Sequence, residues 1–291
     1  MGMGAHADDY FAWTERKRRR GLKGSRDLGG VDDPLHLYKY RPFDVANLRS
    51  VDMVRQILVH NQVWMAAPSR LNDPKDMRFT VQMNNDLQAR QAWMRRNQQL
   101  LDTLGLPPEQ RRIVTHQLLH GSFDEQMIAE FQKATLDAMG VFSASRDPRN
   151  ELIWTHYADE HRGICIQFAT FQDELFLLAK RVAYGKEFPK LLLPAPDGQA
   201  LQEHYLIKSA AWSYENEWRV VVPLNSCAIA LRPATVSGII IGSRAHPSTI
   251  DALDALLTER REANYPPVRI YNASTQNSGY DIRVCCGFPR R

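Results

Sequence analysis

Long apolar runs are missing from this 291-residue chain, and no stretch approaches the roughly 18 to 20 consecutive apolar residues of a membrane-spanning helix. Cysteine is scarce: Cys165, Cys227, Cys285 and Cys286 are the four, with no CxxC spacing, which argues against a disulfide framework and a zinc site and reads as reduced thiols. The nucleotide-binding GxGxxG and P-loop patterns are absent, as are the GxSxG elbow and the HExxH pair. The start, MGMGAHADDYFAW, lacks the basic-then-apolar layout of a secretory signal, and His6 stands where a myristoylation motif wants Ser or Thr. These absences lead us to expect a protein of the cytoplasm, without membrane partners, whose chemistry is carried by short polar clusters.

The chain contains 44% apolar and 24% charged residues, an ordinary balance for a folded protein of this length. The formal charge of +4 is unevenly placed, because RKRRRGLKGSR, Arg16 to Arg26, holds seven cations and no acid. Without that run the remainder is near −3. We read residues 1–34 as a basic, disordered arm, with weak nucleic-acid contact as its alternative role; no aromatic residues interleave the cations as a single-strand platform requires.

Beyond the arm, LHLYKYRPF reads as a strand ended by Pro42, and Ser50 as the cap of a helix whose Met53, Val54, Ile57 and Leu58 share a face. QVWMAAP is a second strand, closed by SRLNDPKD. Residues 84–140, rich in Gln and Arg, have helical spacing and form a helical insert. His116 and His120 lie at i and i+4 there, but without a third ligand nearby no metal is expected. Strand vocabulary returns in VFSAS, GICIQFA, RVAYG, YENEWRVVVP, CAIALR, SGIIIG, VRIYNAS and YDIRVCC, with helices at ELIWTHYA, from Phe171, through His204 and Lys208, and from about Ser248 to Ala263. The pattern predicts one α+β domain over 35–291 with a mixed or split β-sheet core.

Four clusters stand where sites are built, at strand ends and in loops. In LYKYRPF, Tyr40 and Arg41 end a strand and suit a nucleotide ring or phosphate, or equally an edge strand with its cation in solvent. LNDP brings Asn72 into a turn. FSASRDPRNELIWTHYADEHRGICIQF gathers Ser143, Ser145, Trp154, His156 and Tyr157 in one strand-loop-helix unit, where His156 also reads as a hydrogen-bonded core residue. SYENEWRVVVP, as a continuous strand, sets Glu215, Glu217 and Arg219 on one side, either as an ion-pair network or as a pair of acids facing a reacting group.

In this order the LYKYR, NDP, HYADEHRGIC and YENEWR segments, spanning about residues 35 to 222, resemble a widespread bacterial family of unknown function. The layout is also similar to the ADP-ribosyltransferase fold, in particular its DarT-like and RNA-phosphotransferase-like branches. The resemblance implies a sheet core of that type, NAD as substrate, Glu217 beside the ribose cation, Glu215 orienting or deprotonating the acceptor, Arg41 on the pyrophosphate and Tyr157 near nicotinamide. Tyr40, Ser143, Asn72, His156 and Arg219 would complete the wall. This chain departs from that pattern: its first strand has no His-Gly or Arg-Gly step, and FSAS is not Ser-Thr-Ser. The implied activity is cleavage of NAD+ with transfer of ADP-ribose to a protein or nucleic-acid acceptor, as in a toxin, a delivered effector or a defence protein. The alternatives are a non-catalytic nucleotide- or nucleic-acid-binding module and a two-carboxylate N-glycosidic hydrolase.

Overall fold

The structure, a computed structural model, describes residues 34–96, 107–120, 125–193, 201–275 and 279–287. The basic run Arg16–Arg26 lies outside the described residues. In chain order the elements are β1 (His36–Arg41), α1 (Leu48–Leu58), β2 (Gln62–Met65), β3 (Thr80–Met83), α2 (Leu87–Arg96), α3 (Pro108–His120), α4 (Glu125–Asp137), β4 (Gly140–Ser145), α5 (Glu151–Tyr157) and β5 (Ile164–Ala169). They continue as β6 (Lys180–Arg181), β7 (Ala183–Gly185), β8 (Lys190–Leu193), β9 (Ile207–Ser209), β10 (Glu217–Val222), β11 (Cys227–Ala230), β12 (Val236–Ile241), α6 (Pro247–Glu262), β13 (Arg269–Thr275) and β14 (Ile282–Cys286).

Among the described residues the chain divides into two compact units: residues 34–66, 140–182 and 211–287 lie in the first, and 67–139 with 183–210 in the second. The first is built on an eight-stranded sheet in the order β14-β13-β12-β5-β1-β4-β10-β6. Its β12–β13 pair is parallel and the others are antiparallel, so the α+β class with a mixed sheet is as the sequence predicts. Strand alternation gives this sheet two unlike faces. On one, Leu37, Phe142, Phe168, Val220 and Ile239 pack against Val54, Ile57 and Leu58 of α1 and Leu253 and Leu256 of α6. On the other, Tyr40, Cys165 and Ile240 pack against Ile153, Trp154 and Ala158 of α5 and its C-terminal end. Between β1 and β4 the only register pair is Tyr38 with Ser145, and Lys39 Nζ donates to the Ser143 carbonyl at 2.6 Å.

Local hydrogen bonding moves several elements from their sequence-predicted limits. α1 is capped by Asn47, whose side chain accepts from Ser50 N; Ser50 itself is buried in the first turn and donates to the Pro42 carbonyl at 3.0 Å. From Phe171 there is no α-helix but 3-10 turns, Thr170–Gln172 and Glu174–Leu178, with Asp173 accepting from Leu175 N at 2.9 Å. The segment through His204 is likewise a 3-10 turn, Leu201–Leu206, and Lys208 lies on β9. α6 is held by Arg260, buried with no carboxylate partner among the described residues: its guanidinium donates to the carbonyls of Leu58, Pro233 and Pro266 and to Asn61 Oδ1.

The second unit contains the helices expected over 84–140, together with the parallel pairs β3–β8 and β7–β9. In its described core Phe79 meets the rings of His204 and Tyr205 edge-on, at 6.2 and 6.0 Å. Lys208 Nζ stands 3.6 Å from Asp76 Oδ2, both side chains buried, which ties the NDPKD turn to β9. The rings of His116 and His120 lie 4.2 Å apart, tilted by 34°, and among the described residues no three His, Cys, Asp or Glu side chains gather as metal ligands.

In the first unit, the segment after α5 turns through three successive left-handed residues, Asp159, Glu160 and His161, at φ 48°, 49° and 70°. Each costs roughly 1–2 kcal/mol relative to right-handed backbone, so the turn persists because its surroundings hold it. Gly163 and Gly242 provide the space. A Cβ on Gly163 would lie 2.2 Å from the Arg41 carbonyl oxygen, and one on Gly242 2.1 Å from that of His161. Gly242→Ala should therefore cost about 2–4 kcal/mol in denaturant unfolding. Gly185→Ala, whose nearest neighbour is at 3.6 Å, should change stability by less than about 1 kcal/mol, and equal losses would contradict this packing.

Candidate functional site

Polar side chains concentrate in the first unit, where β10 meets β4. The strand expected to begin near Tyr214 begins instead at Glu217. Ala210–Glu215 is a 3-10 turn, and Asn216 reverses the backbone at φ 44°, a conformation that asparagine tolerates better than most residues. Glu215 therefore does not share a strand face with Glu217 and Arg219. Like-charge repulsion at two-residue strand spacing is avoided by giving each carboxylate its own partner.

Glu217 Oε1 accepts from Arg219 Nε at 2.9 Å and from Arg219 Nη2 at 2.8 Å. Both side chains are buried, at 4% and 0% exposure, so the loss of hydration is offset by charge-assisted bonds. Glu215 Oε1 accepts from the Tyr157 hydroxyl at 2.5 Å, and Tyr157 comes from the last turn of α5. Ser145 Oγ donates to the Glu215 carbonyl at 2.7 Å and accepts from Asp147 N at 3.0 Å, locking the 3-10 turn onto β4. Asn150 does the same from α5: Oδ1 caps the helix at Ile153 N, 3.0 Å, and Nδ2 donates to the Tyr214 carbonyl at 2.9 Å. Arg146 N donates to the Asn216 carbonyl at 3.0 Å.

Register brings further groups to the same face. Glu217 pairs with Ser145 and Arg219 with Ser143, so both serines point to the side of the sheet that carries the ion pair. Ser143 is half-buried. The Tyr214 ring is 6.2 Å from that of His156 and 6.0 Å from that of Trp212, with His156 exposed. Glu217, Arg219, Ser143, Glu215, Tyr157 and His156 thus come from β10, β4, the 3-10 turn and α5 to one side of the sheet.

Two expected site residues of the first unit do not join this polar set, and a third belongs to the second unit. Tyr40 is buried at 5% exposure, meets Trp154 edge-on at 5.1 Å and spends its hydroxyl on the Asp147 carbonyl at 2.7 Å, so it supports the loop from below and offers no ring to a ligand. Burial pushes its phenol well above the ordinary tyrosine range. Arg41 shares a strand face with Leu37, which packs against the α1 and α6 side, so it does not join the face of Glu217. Its Nε is buried without a hydrogen-bond partner among the described residues, and burial lowers its pKa. Asn72 is exposed and belongs to the second unit.

Asn150, Tyr38 and Gln167 are groups of this face that sequence reasoning did not place among the site residues, and Ser145, gathered with Ser143 in one cluster, was given no role. Ser145 was legible, two residues after Ser143 on one strand. Asn150 reads from sequence only as a helix cap, because its second bond, to Tyr214, spans 64 residues. Glu217→Gln should strand the buried Arg219 charge and cost about 3–5 kcal/mol. Glu217→Gln with Arg219→Met should regain at least half of that loss in equilibrium unfolding, and a double variant no more stable than the single one would show that the pair is not the coupled element.

Comparison with curated proteins and with solved structures returned no match. A family model does match: over residues 153–220, the segment that runs from α5 to the middle of β10, the chain is similar to the family described as "Protein of unknown function (DUF2971)".

Proposed function

We propose that the protein is an ADP-ribosyltransferase-like enzyme that cleaves NAD+ and transfers ADP-ribose to a macromolecular acceptor, with Glu217 and Glu215 as its catalytic carboxylates. The observation that carries this reading is the pair itself: two buried acids separated by one left-handed residue, one gripped by Arg219 and the other by Tyr157, beside half-buried Ser143.

The chemistry follows from where charge develops. Departure of nicotinamide leaves positive charge on the ribose C1′ and ring oxygen, and a carboxylate fixed beside it lowers the energy of that state without reorganising. Arg219 holds the Glu217 carboxylate in one direction, which supplies the fixed geometry. Glu215 takes the acceptor's proton, while its bond from Tyr157 sets its orientation. In electron terms, the C1′–N bond breaks with its pair going to nicotinamide, the acceptor's lone pair forms the new bond to C1′, and the acceptor's proton goes to Glu215. His156, Tyr214 and Trp212 form an aromatic rim from which a ring of the donor or acceptor is reached. The buried Glu217–Arg219 pair equally suits a binding module in which neither acid reacts, and the assay below separates the two.

The purified full-length chain incubated with NAD+ and cell extract should release nicotinamide and label a macromolecular fraction. Glu217→Gln should lower that rate by about a hundredfold or more, the scale of removing one electrostatic stabiliser. Thermal melts of the same variant separate lost folding from lost chemistry. Absence of both release and transfer with every fraction would reject the enzyme in favour of the binding module.

A further inference from the structure

β14, the last strand of the large sheet, has a neighbour on one side only, β13, among the described residues. The pairing fixes which way its backbone bonds. Gly287 N donates to the Ile270 carbonyl at 2.8 Å, so Gly287 faces β13, and by the alternation of an antiparallel ladder Cys285 and Arg283 do the same. The N–H and C=O groups of Ile282, Val284 and Cys286 therefore point away from the sheet, and no hydrogen bond takes them up among the described residues.

The two edges of this sheet are unlike. β6, at the other end, is Lys180–Arg181, two exposed cations, and a short charged edge resists pairing with another strand. β14 runs for five residues, Ile282–Cys286, with Arg283 as its one charge. It also carries the core outward: Ile282, at 3% exposure, and Val284 pack with Ala273 and Tyr271 in the cluster that contains Trp154. One edge ends on charge and the other on a β-forming strand with free outward backbone.

Paired with its own copy, this strand has a preferred register. Antiparallel pairing about a twofold axis sets one residue opposite itself. An axis at Arg283 would oppose two guanidinium groups, which is destabilising. An axis at Ile282, Cys285 or Cys286 leaves part of the strand without a mate. An axis at Val284 uses all of it: Val284 meets the partner's Val284, and Ile282 meets the partner's Cys286, through backbone groups that already point outward. Arg283 then stands opposite the partner's Cys285, and Tyr280, 90% exposed, lies just beyond the Ile282 pair, where the partner strand ends.

We infer that β14 pairs with β14 of a second copy in an antiparallel twofold dimer centred on Val284, which joins the two large sheets edge to edge. Five residues a side fall short of the roughly 20–30 of a standard interface, so the dimer is weak and concentration-dependent. β13, β12, β5, β1 and β4 stand between β14 and β10, so this pairing and the carboxylate chemistry are tested separately.

Sedimentation equilibrium of the full-length protein under reducing conditions should show the mass rising from one chain to two across roughly 1 µM to 1 mM. Val284→Pro removes the outward N–H at the axis but no bond of the β13 ladder, and it should weaken association by about tenfold or more, with a thermal melt to check folding. Arg283→Cys tests the register whether or not that variant folds. It sets a thiol opposite the partner's Cys285 at a non-hydrogen-bonded pair, about 4.5 Å between Cα atoms and within disulfide range. Diamide should link this variant into dimers at least about tenfold faster than the wild type, because pairing raises the effective thiol concentration. A single-chain mass at every concentration, a folded Val284→Pro that associates like the wild type, or equally fast linking of the wild type, as an axis at Cys285 would give, would overturn the inference.

Discussion

A buried ion pair sets the conditions for everything around it. Glu217 and Arg219 lie at the first and third residues of β10, almost without solvent, and either charge alone would be prohibitively costly there. Because the pair runs along one strand face, the backbone must be extended from Glu217 onward, and the strand can start no later. The preceding acid must then leave the strand, and Asn216, in the left-handed region, is the residue that lets it. The position of Glu215 is thus a consequence of the pair, and Tyr157 receives the carboxylate that the turn presents.

The second layer of support comes from groups whose bonds are to backbone. Ser145, Asn150, Tyr40 and Trp154 bond to the carbonyls of Glu215, Tyr214, Asp147 and Pro148, so the loop 146–150 and the 3-10 turn are held whatever their own side chains do. That leaves Arg146, Arg149 and His156 exposed at the edge of a rigid frame. Loops positioned in this way on a packed scaffold are where recognition is built.

The second unit uses a related device independently. Lys208 and Asp76, both buried, join a β-strand to the turn that contains Asn72 and Asp73. Met77, left-handed at φ 59°, follows directly, and Asp76 Oδ1 accepts from its amide at 2.8 Å. In each unit a carboxylate-cation pair sits beside a strained residue, so desolvated charge and unfavourable backbone are held by the same packing.

Much of the first unit was legible in the sequence because periodicity is a local property. Alternation in LHLYKYR, VFSAS and GICIQFA marks β1, β4 and β5, and the turn residues between them mark where they end. The same alternation correctly joined Glu217 to Arg219 in facing direction. It failed at YENEW, because whether a strand begins at Tyr214 or Glu217 depends on the bonds from Ser145 and Asn150, 70 and 64 residues away. At Arg41 and Tyr40 the sequence shows residue types but not which face of the sheet a helix will cover, so the burial of Tyr40 and the facing of Arg41 were decided by packing. Residue chemistry and strand period, which a few neighbours determine, were therefore set by the sequence alone. The register that aligns Glu217, Ser145, Tyr38 and Gln167, and the choice of which polar groups are spent on structure, were decided only in the tertiary structure, because both depend on partners distant along the chain.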